Sequence, residues 1–312
     1  MKNKYRILFM GTPDFALPSL EALCNNGYTP LALYTQPDRI NGRGKKINFS
    51  PVKAFGIAHD IPVFQPSTLK SEEEQNRLKE LKPDLLIVIA YGKILPKEVL
   101  DIPTYGAINV HGSLLPRYRG AAPIQRALID GEKKTGVTIM QLDEGMDTGN
   151  MVEVREMAIP PHMNCGELFD ELSRMGAEGL ISVMNDLPRK LAHSVPQNHE
   201  LATYAEKVTK EMGHIDWTMD ASRIDCLIRG MNPNPGTYTF YNGKRVKIHE
   251  AFPEEGAGTA GTVLSLEKGI IHVACGRGAI GISLLQPENH KKMSSSDFIN
   301  GYQVNVNDKF GE

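Results

Sequence analysis

The sequence predicts an α/β protein built on a doubly wound, mostly parallel sheet, followed by a small C-terminal β-barrel. Three observations carry this. In the first half, short apolar runs alternate with helix-like segments, the rhythm of strand–helix–strand units joined by right-handed crossovers. Two of the runs, Asp84 to Tyr91 and Ala107 to His111, have long apolar stretches, which suit central strands covered by helices on both faces. After about residue 190 the rhythm gives way to closely spaced extended runs with turn signals, as in a small barrel.

The elements follow in order. Arg6 to Met10 is the first strand, and Thr12 or Asp14 is expected to cap a helix reaching Leu23, with Pro13 in its first turn. Leu31 to Thr35 and Pro62 to Phe64 are further strands. Ser71, with Glu74 three residues on, reads as a capping box. The two apolar strands come next, then Val137 to Leu142. Residues 190–206 are polar and aperiodic and are expected to be a linker, dividing the chain into domains at 1–189 and 207–312. One helix is expected beyond it, Ala221 to Met231, and the remainder reads as strands: a hairpin around Asn242-Gly243, then Thr262 to Leu266, Gly269 to Cys275 and Ala279 to Leu285.

Composition narrows the function. The net charge of −2 excludes a globally basic nucleic-acid binder, and residues 207–312 are neutral, with twelve basic and twelve acidic groups. The longest apolar run, Leu85 to Tyr91, is too short to cross a bilayer, and the N-terminal stretch is too short for a signal peptide. Four widely separated cysteines form neither a disulfide framework nor a metal knuckle. A cytoplasmic monomer without a metal is expected. From Arg39 to His59 there are five basic residues and no acidic one, and Asn41 to Lys46 is also glycine-rich, which reads as an exposed loop.

The chemistry concentrates between Ala107 and Gly149. Asn109 and His111 fall on the same side of a buried strand by its two-residue period. Asp147 lies in the turn Glu144 to Gly149, after the next strand, so neighbouring strand ends can bring it to His111. An amide donor, an imidazole and a carboxylate make a working set for transfer to or from a carbonyl. The plainer readings stand beside this: a structural histidine, an aspartate that stabilises its own turn, and a Ser113 that caps the next segment. Gly276 to Gly281 has dinucleotide-fingerprint spacing, but a strand-like run follows instead of a helix.

These residues resemble a known family. Asn109 to His111, Gly112 to Gly120, Ala121 to Leu128, Thr135 to Met140 and Asp143 to Gly149 are similar to the signature of folate-dependent formyltransferases. The fuller match is to members acting on charged initiator tRNA, and it extends to Arg6–Leu20, Gln36–Lys46, Tyr204–Val208, His214–Trp217, Ile228–Tyr238 and Gln286–Met293. The resemblance implies a Rossmann-like catalytic domain with an OB-like barrel. It implies transfer of the formyl group of 10-formyltetrahydrofolate to the α-amine of methionine on initiator methionyl-tRNA, for translation initiation. It implies Asn109, His111 and Asp147 as catalytic residues. Ser113, Leu114, Leu115 and Pro116, with Tyr91 from the adjacent strand, are implied in folate binding, and Arg43, Lys45 and Lys46 in tRNA binding. A free α-amine with a pKa of about 7.7–8 is already a competent nucleophile, so no covalent enzyme intermediate is needed. Asn109 and a protonated His111 can stabilise an oxyanion, and Asp147 can hold the imidazole tautomer or relay a proton. The alternatives are a formyltransferase or formyl-folate hydrolase acting on a small amine, and a catalytically silent RNA-binding module.

Overall fold

The structure is a computed structural model in which residues 4–41 and 46–311 are described. The chain forms two compact units. The first comprises Met1–Gly120, Thr135–Met157 and Phe169–Tyr204, and the second Ala121–Lys134, Ala158–Leu168 and Ala205–Glu312.

The first unit runs through β1 (Ile7–Gly11), α1 (Leu17–Asn25), β2 (Ala32–Tyr34), β3 (Arg39–Asn41), β4 (Lys46–Asn48), α2 (Pro51–Ala58), β5 (Val63–Phe64), α3 (Glu72–Glu80), β6 (Leu85–Ile89), α4 (Lys97–Leu100) and β7 (Ala107–His111). After β8 (Arg119–Gly120), α5 (Pro123–Ile129) belongs to the second unit. The first resumes with β9 (Lys134–Gln141) and β10 (Met151–Ala158), most of α6 (Cys165–Asn185), and α7 (Leu187–Ala192). Seven strands make one sheet in the order β10-β9-β7-β6-β1-β2-β5. Parallel pairing joins β1 to β2 and β6, and β6 to β7, while β9 runs antiparallel to β7. Every residue of β1 and β6 is buried, as expected where helices cover both faces.

Two helix starts differ in detail from expectation. No side chain caps α1, which is entered through a 3₁₀ turn at Asp14–Ala16. The Thr12 hydroxyl is used instead to tie strand ends together: it donates to the carbonyl of Tyr91 (3.3 Å) and accepts the Gln36 N–H (3.3 Å). Ser71 does cap α3, accepting the Glu74 N–H at 3.4 Å, but the Glu74 carboxylate pairs with Arg77. The polar stretch 190–206 is hydrogen-bonded into the first unit along much of its length. Val195 exchanges two backbone hydrogen bonds of 2.8 Å with Met151, and Gln197 is buried.

The second unit holds β11 (Tyr204–Ala205) at its boundary, then α8 (Ala221–Met231), β12 (Thr237–Tyr241), β13 (Lys244–Glu254), β14 (Val263–Ser265), β15 (Ile271–Ala274), β16 (Ala279–Pro287), β17 (Met293–Ser294) and α9 (Ser295–Tyr302). The antiparallel order is β12-β13-β16-β15-β14, with β17 on β16. Asn242 and Gly243, at φ 50° and 70°, make the two-residue turn between β12 and β13, the conformation that Asn-Gly favours. The helix α8 occupies the expected residues, and Gly230 lets it approach α5, since a Cβ there would lie 2.6 Å from Ile129 Cγ1. One expectation is corrected: the tail is not all strand. Ser294 accepts the Asp297 N–H at 3.1 Å and starts α9, a serine cap that a strand reading overlooks. Gly276 to Gly281 forms the β15–β16 turn and enters β16, with no helix after it.

The sheet curls, and a short segment joins its two edges. Gly311 donates to the Phe240 carbonyl of the β12 edge, while Val263 of the β14 edge donates to the Asp308 carbonyl, both at 2.8 Å. Phe310 is buried under this seam beside Tyr241 (ring centroids 5.0 Å) and Trp217 (6.1 Å). Phe310→Ala is therefore expected to cost about 3–5 kcal/mol, read as a lowered unfolding midpoint in denaturant with formyl-donor binding unchanged. An unchanged midpoint would mean that the seam does not hold the barrel.

Candidate active site

The site is built at the carboxyl end of β7, where ligands bind in open α/β sheets. Asn109 pairs in register with Val88 and Met140, and His111 with Thr138. Asn109 is half-buried, and its side-chain amide has no hydrogen-bond partner among the described residues. His111 is almost fully buried. Its Nε2 lies 2.9 Å from the carbonyl of Tyr118, and its Nδ1 lies 3.6 Å from Asp147 Oδ2. A carbonyl only accepts, so Nε2 carries a hydrogen. The backbone of Tyr118, not Asp147, therefore sets the imidazole tautomer.

Asp147 comes from the loop after β9. Asp143 Oδ1 knits that loop by accepting from the Gly145 N–H (3.0 Å) and the Thr148 hydroxyl (2.6 Å). Gly149 closes it so tightly that a Cβ there would lie 2.0 Å from the Gln141 carbonyl oxygen. Asp147 itself has φ 54°, a left-handed conformation that aspartate tolerates better than most residues. Its Oδ2 accepts the Gly120 N–H at 2.8 Å, and Oδ1 has no protein partner among the described residues. His111 and Asp147 thus come together from two neighbouring strand ends, with Asn109 two residues before His111 on the same strand.

The turn 113–120 supports them. The Ser113 hydroxyl donates to the Arg117 carbonyl at 2.7 Å and is buried, so it closes the turn and faces no open cleft. Thr138 Oγ1 donates to the Ser113 carbonyl (2.8 Å) and accepts the Leu115 N–H (3.2 Å). Leu115 is buried, while Leu114 and Pro116 keep partly exposed apolar surface. The Tyr91 side chain packs into a core cluster with Leu8, Met10, Tyr34 and Leu86, and burial pushes its hydroxyl up to a pKa of about 12. What Tyr91 presents at the strand end is its carbonyl, which accepts from Gln36 Nε2 at 2.8 Å. It is flanked by Ala90 at φ 47° and Gly92 at φ 80°.

Sequence reasoning missed four polar residues that shape this region. Thr138 is one. Thr203 is another: its hydroxyl accepts the Tyr118 N–H (2.9 Å) and its carbonyl the Arg119 N–H (2.8 Å). Arg119 and Gln197 are buried and hydrogen-bonded to each other. Thr203 and Gln197 lie in an aperiodic stretch that carries no pattern to mark them.

Of the basic run, Arg43 and Lys45 lie outside the described residues, as does the side chain of Lys46. The backbone on either side forms the β3–β4 hairpin, in which Asn41 pairs with Lys46. Lys53 is paired with Asp38 and donates to Gln65 Oε1 at 2.8 Å. Gln65 Nε2 in turn reaches Asp38 Oδ1 (2.9 Å) and the Gln36 carbonyl (2.8 Å). Lys53 therefore braces the chain leading into the hairpin instead of adding a free charge, and its ammonium and the Gln65 amide hold the Asp38 carboxyl below its usual pKa. Among the described residues there is no cluster of metal-ligating side chains, and no helix is long and apolar enough to cross a membrane.

Comparison with known proteins matches residues 4–184 to the family described as Formyl transferase and residues 207–303 to Formyl transferase, C-terminal domain. Methionyl-tRNA formyltransferase of Acetivibrio thermocellus is 46% identical over 310 residues, which cover 98% of this chain and 100% of that protein. Among solved structures, HypX from Aquifex aeolicus in complex with tetrahydrofolic acid is 19% identical with a TM-score of 0.65. The match covers 98% of this chain, which spans about half of HypX (48%). An N-formyltransferase from Helicobacter canadensis, in complex with folinic acid and dTDP-3-aminofucose, is 17% identical with a TM-score of 0.67, over 90% of this chain and 99% of that one. At these identities the two structures speak for the fold.

Proposed function

Because the chain belongs to the formyl transferase family, we propose that it transfers a formyl group from a formyl-tetrahydrofolate to the amino group of methionine on initiator tRNA, for translation initiation. The donor is 10-formyltetrahydrofolate. The observation that carries the reading at the level of residues is the free amide of Asn109, half-buried at the same strand end as the His111–Asp147 pair. The residues present fit a folate: in the turn that follows β7, partly exposed Leu114 and Pro116 offer apolar surface to a flat ring system.

The bound folate supplies an activated formyl carbon and a nitrogen leaving group. Asn109 donates its amide hydrogen to the formyl oxygen as negative charge builds there. His111, with Nε2 held by Tyr118, keeps Nδ1 toward Asp147. Over the reaction one proton leaves the attacking amine and one reaches the departing nitrogen. Asp147 Oδ1, which has no protein partner among the described residues, takes that proton and returns it, passing from carboxylate to carboxylic acid and back, with the His111 ring held beside Oδ2. No covalent enzyme intermediate is required.

For tRNA, Arg43, Lys45 and Lys46 contact phosphates, and residues 207–312 assist as a C-terminal domain. The enzyme acts as a cytoplasmic monomer. The test is formyl transfer to charged initiator tRNA, with uncharged tRNA and free methionine as controls. Transfer to the charged tRNA alone is expected, with KM for tRNA rising steeply with salt. Transfer to free methionine at a comparable rate, or a salt-independent KM, would favour a small-amine acceptor instead.

A further inference from the structure

We propose that Gln197, oriented by the buried Arg119, is a positioning residue for Asp147. The inference rests on Asp147 acting in the reaction as described above. The Gln197 Nε2 donates to two backbone carbonyls of the Asp147 loop, those of Asp147 itself (2.9 Å) and Gly149 (2.7 Å). Its Oε1 accepts from Arg119 Nε (3.1 Å) and Nη2 (2.7 Å). A guanidinium can only donate, so Arg119 dictates which end of the amide faces it. The –NH₂ end is thereby turned toward the loop. Arg119 Nη2 also lies 3.2 Å from His199 Nδ1, which must accept.

This network acts where the chain needs it. Asp147 holds a left-handed backbone at φ 54°, a conformation of limited intrinsic stability for a non-glycine residue. Its carboxylate must stay within 3.6 Å of His111 Nδ1 and 2.8 Å of the Gly120 N–H. Gln197 clamps the backbone on either side of Thr148. Gly120, which receives the carboxylate, directly follows Arg119. One buried pair therefore grips Asp147 at its main chain and governs the segment that grips its side chain. A group displaced by about 1 Å can lose on the order of 10²-fold in rate.

The test compares the full-length wild type with Gln197→Leu, Gln197→Glu, Asp147→Asn and the double variants. Gln197→Glu keeps an acceptor for Arg119 but turns an oxygen toward the two carbonyls. Both Gln197 variants are expected to lower kcat by roughly 10- to 100-fold, with KM for the formyl donor and for charged tRNA within about twofold. In the Asp147→Asn background, either Gln197 substitution is expected to cost no further kcat, because its effect passes through Asp147. Additive losses in the double variants, or equal rises in both KM values, would overturn the inference in favour of a general structural role. A fully active Gln197→Glu would overturn it too, leaving the residue as no more than a partner for Arg119. If Gln197→Leu fails to fold, Gln197→Glu and its double variant decide alone. Near-normal turnover in Asp147→Asn would instead remove the mechanistic reading on which the inference stands.

Discussion

Asn109→Ala is expected to lower kcat by about 10²–10³, the cost of removing one donor from a developing oxyanion and equal to roughly 2.7–4 kcal/mol of transition-state stabilisation. The folded protein should not register the change. The Asn109 amide makes no hydrogen bond to any described residue, so its loss leaves no buried group unpaired. The flanking backbone pairs of β7 with β6 and β9 do not involve the side chain. The expected signature is a fall in kcat with an unchanged unfolding midpoint and formyl-donor affinity within a few-fold. Single-turnover transfer with saturating charged tRNA reads the chemical step directly. A near-wild-type rate there would remove Asn109 from the mechanism.

Asp147→Asn should be comparably severe, lowering kcat by about 10²–10⁴ as proton transfer loses its acceptor. This substitution isolates the charge. Asparagine tolerates the left-handed backbone at least as well as aspartate, and its carbonyl oxygen can still accept the Gly120 N–H. What disappears is the carboxylate beside His111 Nδ1. His111→Ala is a blunter probe, because it also strips the Tyr118 carbonyl of its partner in a buried setting. For Asp147→Asn, a preserved unfolding midpoint with lost turnover is the outcome expected. Retained turnover would leave His111 and Asn109 to manage the chemistry without a carboxylate.

What the sequence reveals about this molecule follows from which forces leave a pattern. Strands β1 and β6 are apolar at every position because both faces are covered, and such runs stand out in a chain of average composition. The period of a strand puts Asn109 and His111 on one side, and the turn after β9 brings Asp147 to them. The helix α8 and the Asn242-Gly243 turn are equally local in origin. The role of Ser113 is only partly local: its hydroxyl is spent on Arg117, four residues on, while Thr138, on the neighbouring strand, anchors its carbonyl. Tyr91 reads as pocket lining because it ends a strand, yet its ring turns into the core. Gln197 and Thr203 reach the site across long sequence separations through single polar contacts, which impose no periodicity. A capping serine in a polar run, Ser294, was legible but easily outvoted by the strands around it.

The staples from Val195, Gln197 and Thr203 also bear on where this chain can be cut. A fragment ending at residue 189 contains every strand of the seven-stranded sheet, together with Asn109, His111 and Asp147. It lacks the residues that pin Met151, the Asp147 loop and the Tyr118–Arg119 turn. Such a fragment keeps the ingredients of the site without the means to hold them still. A workable dissection has to carry the chain to Tyr204, the last residue of the first unit.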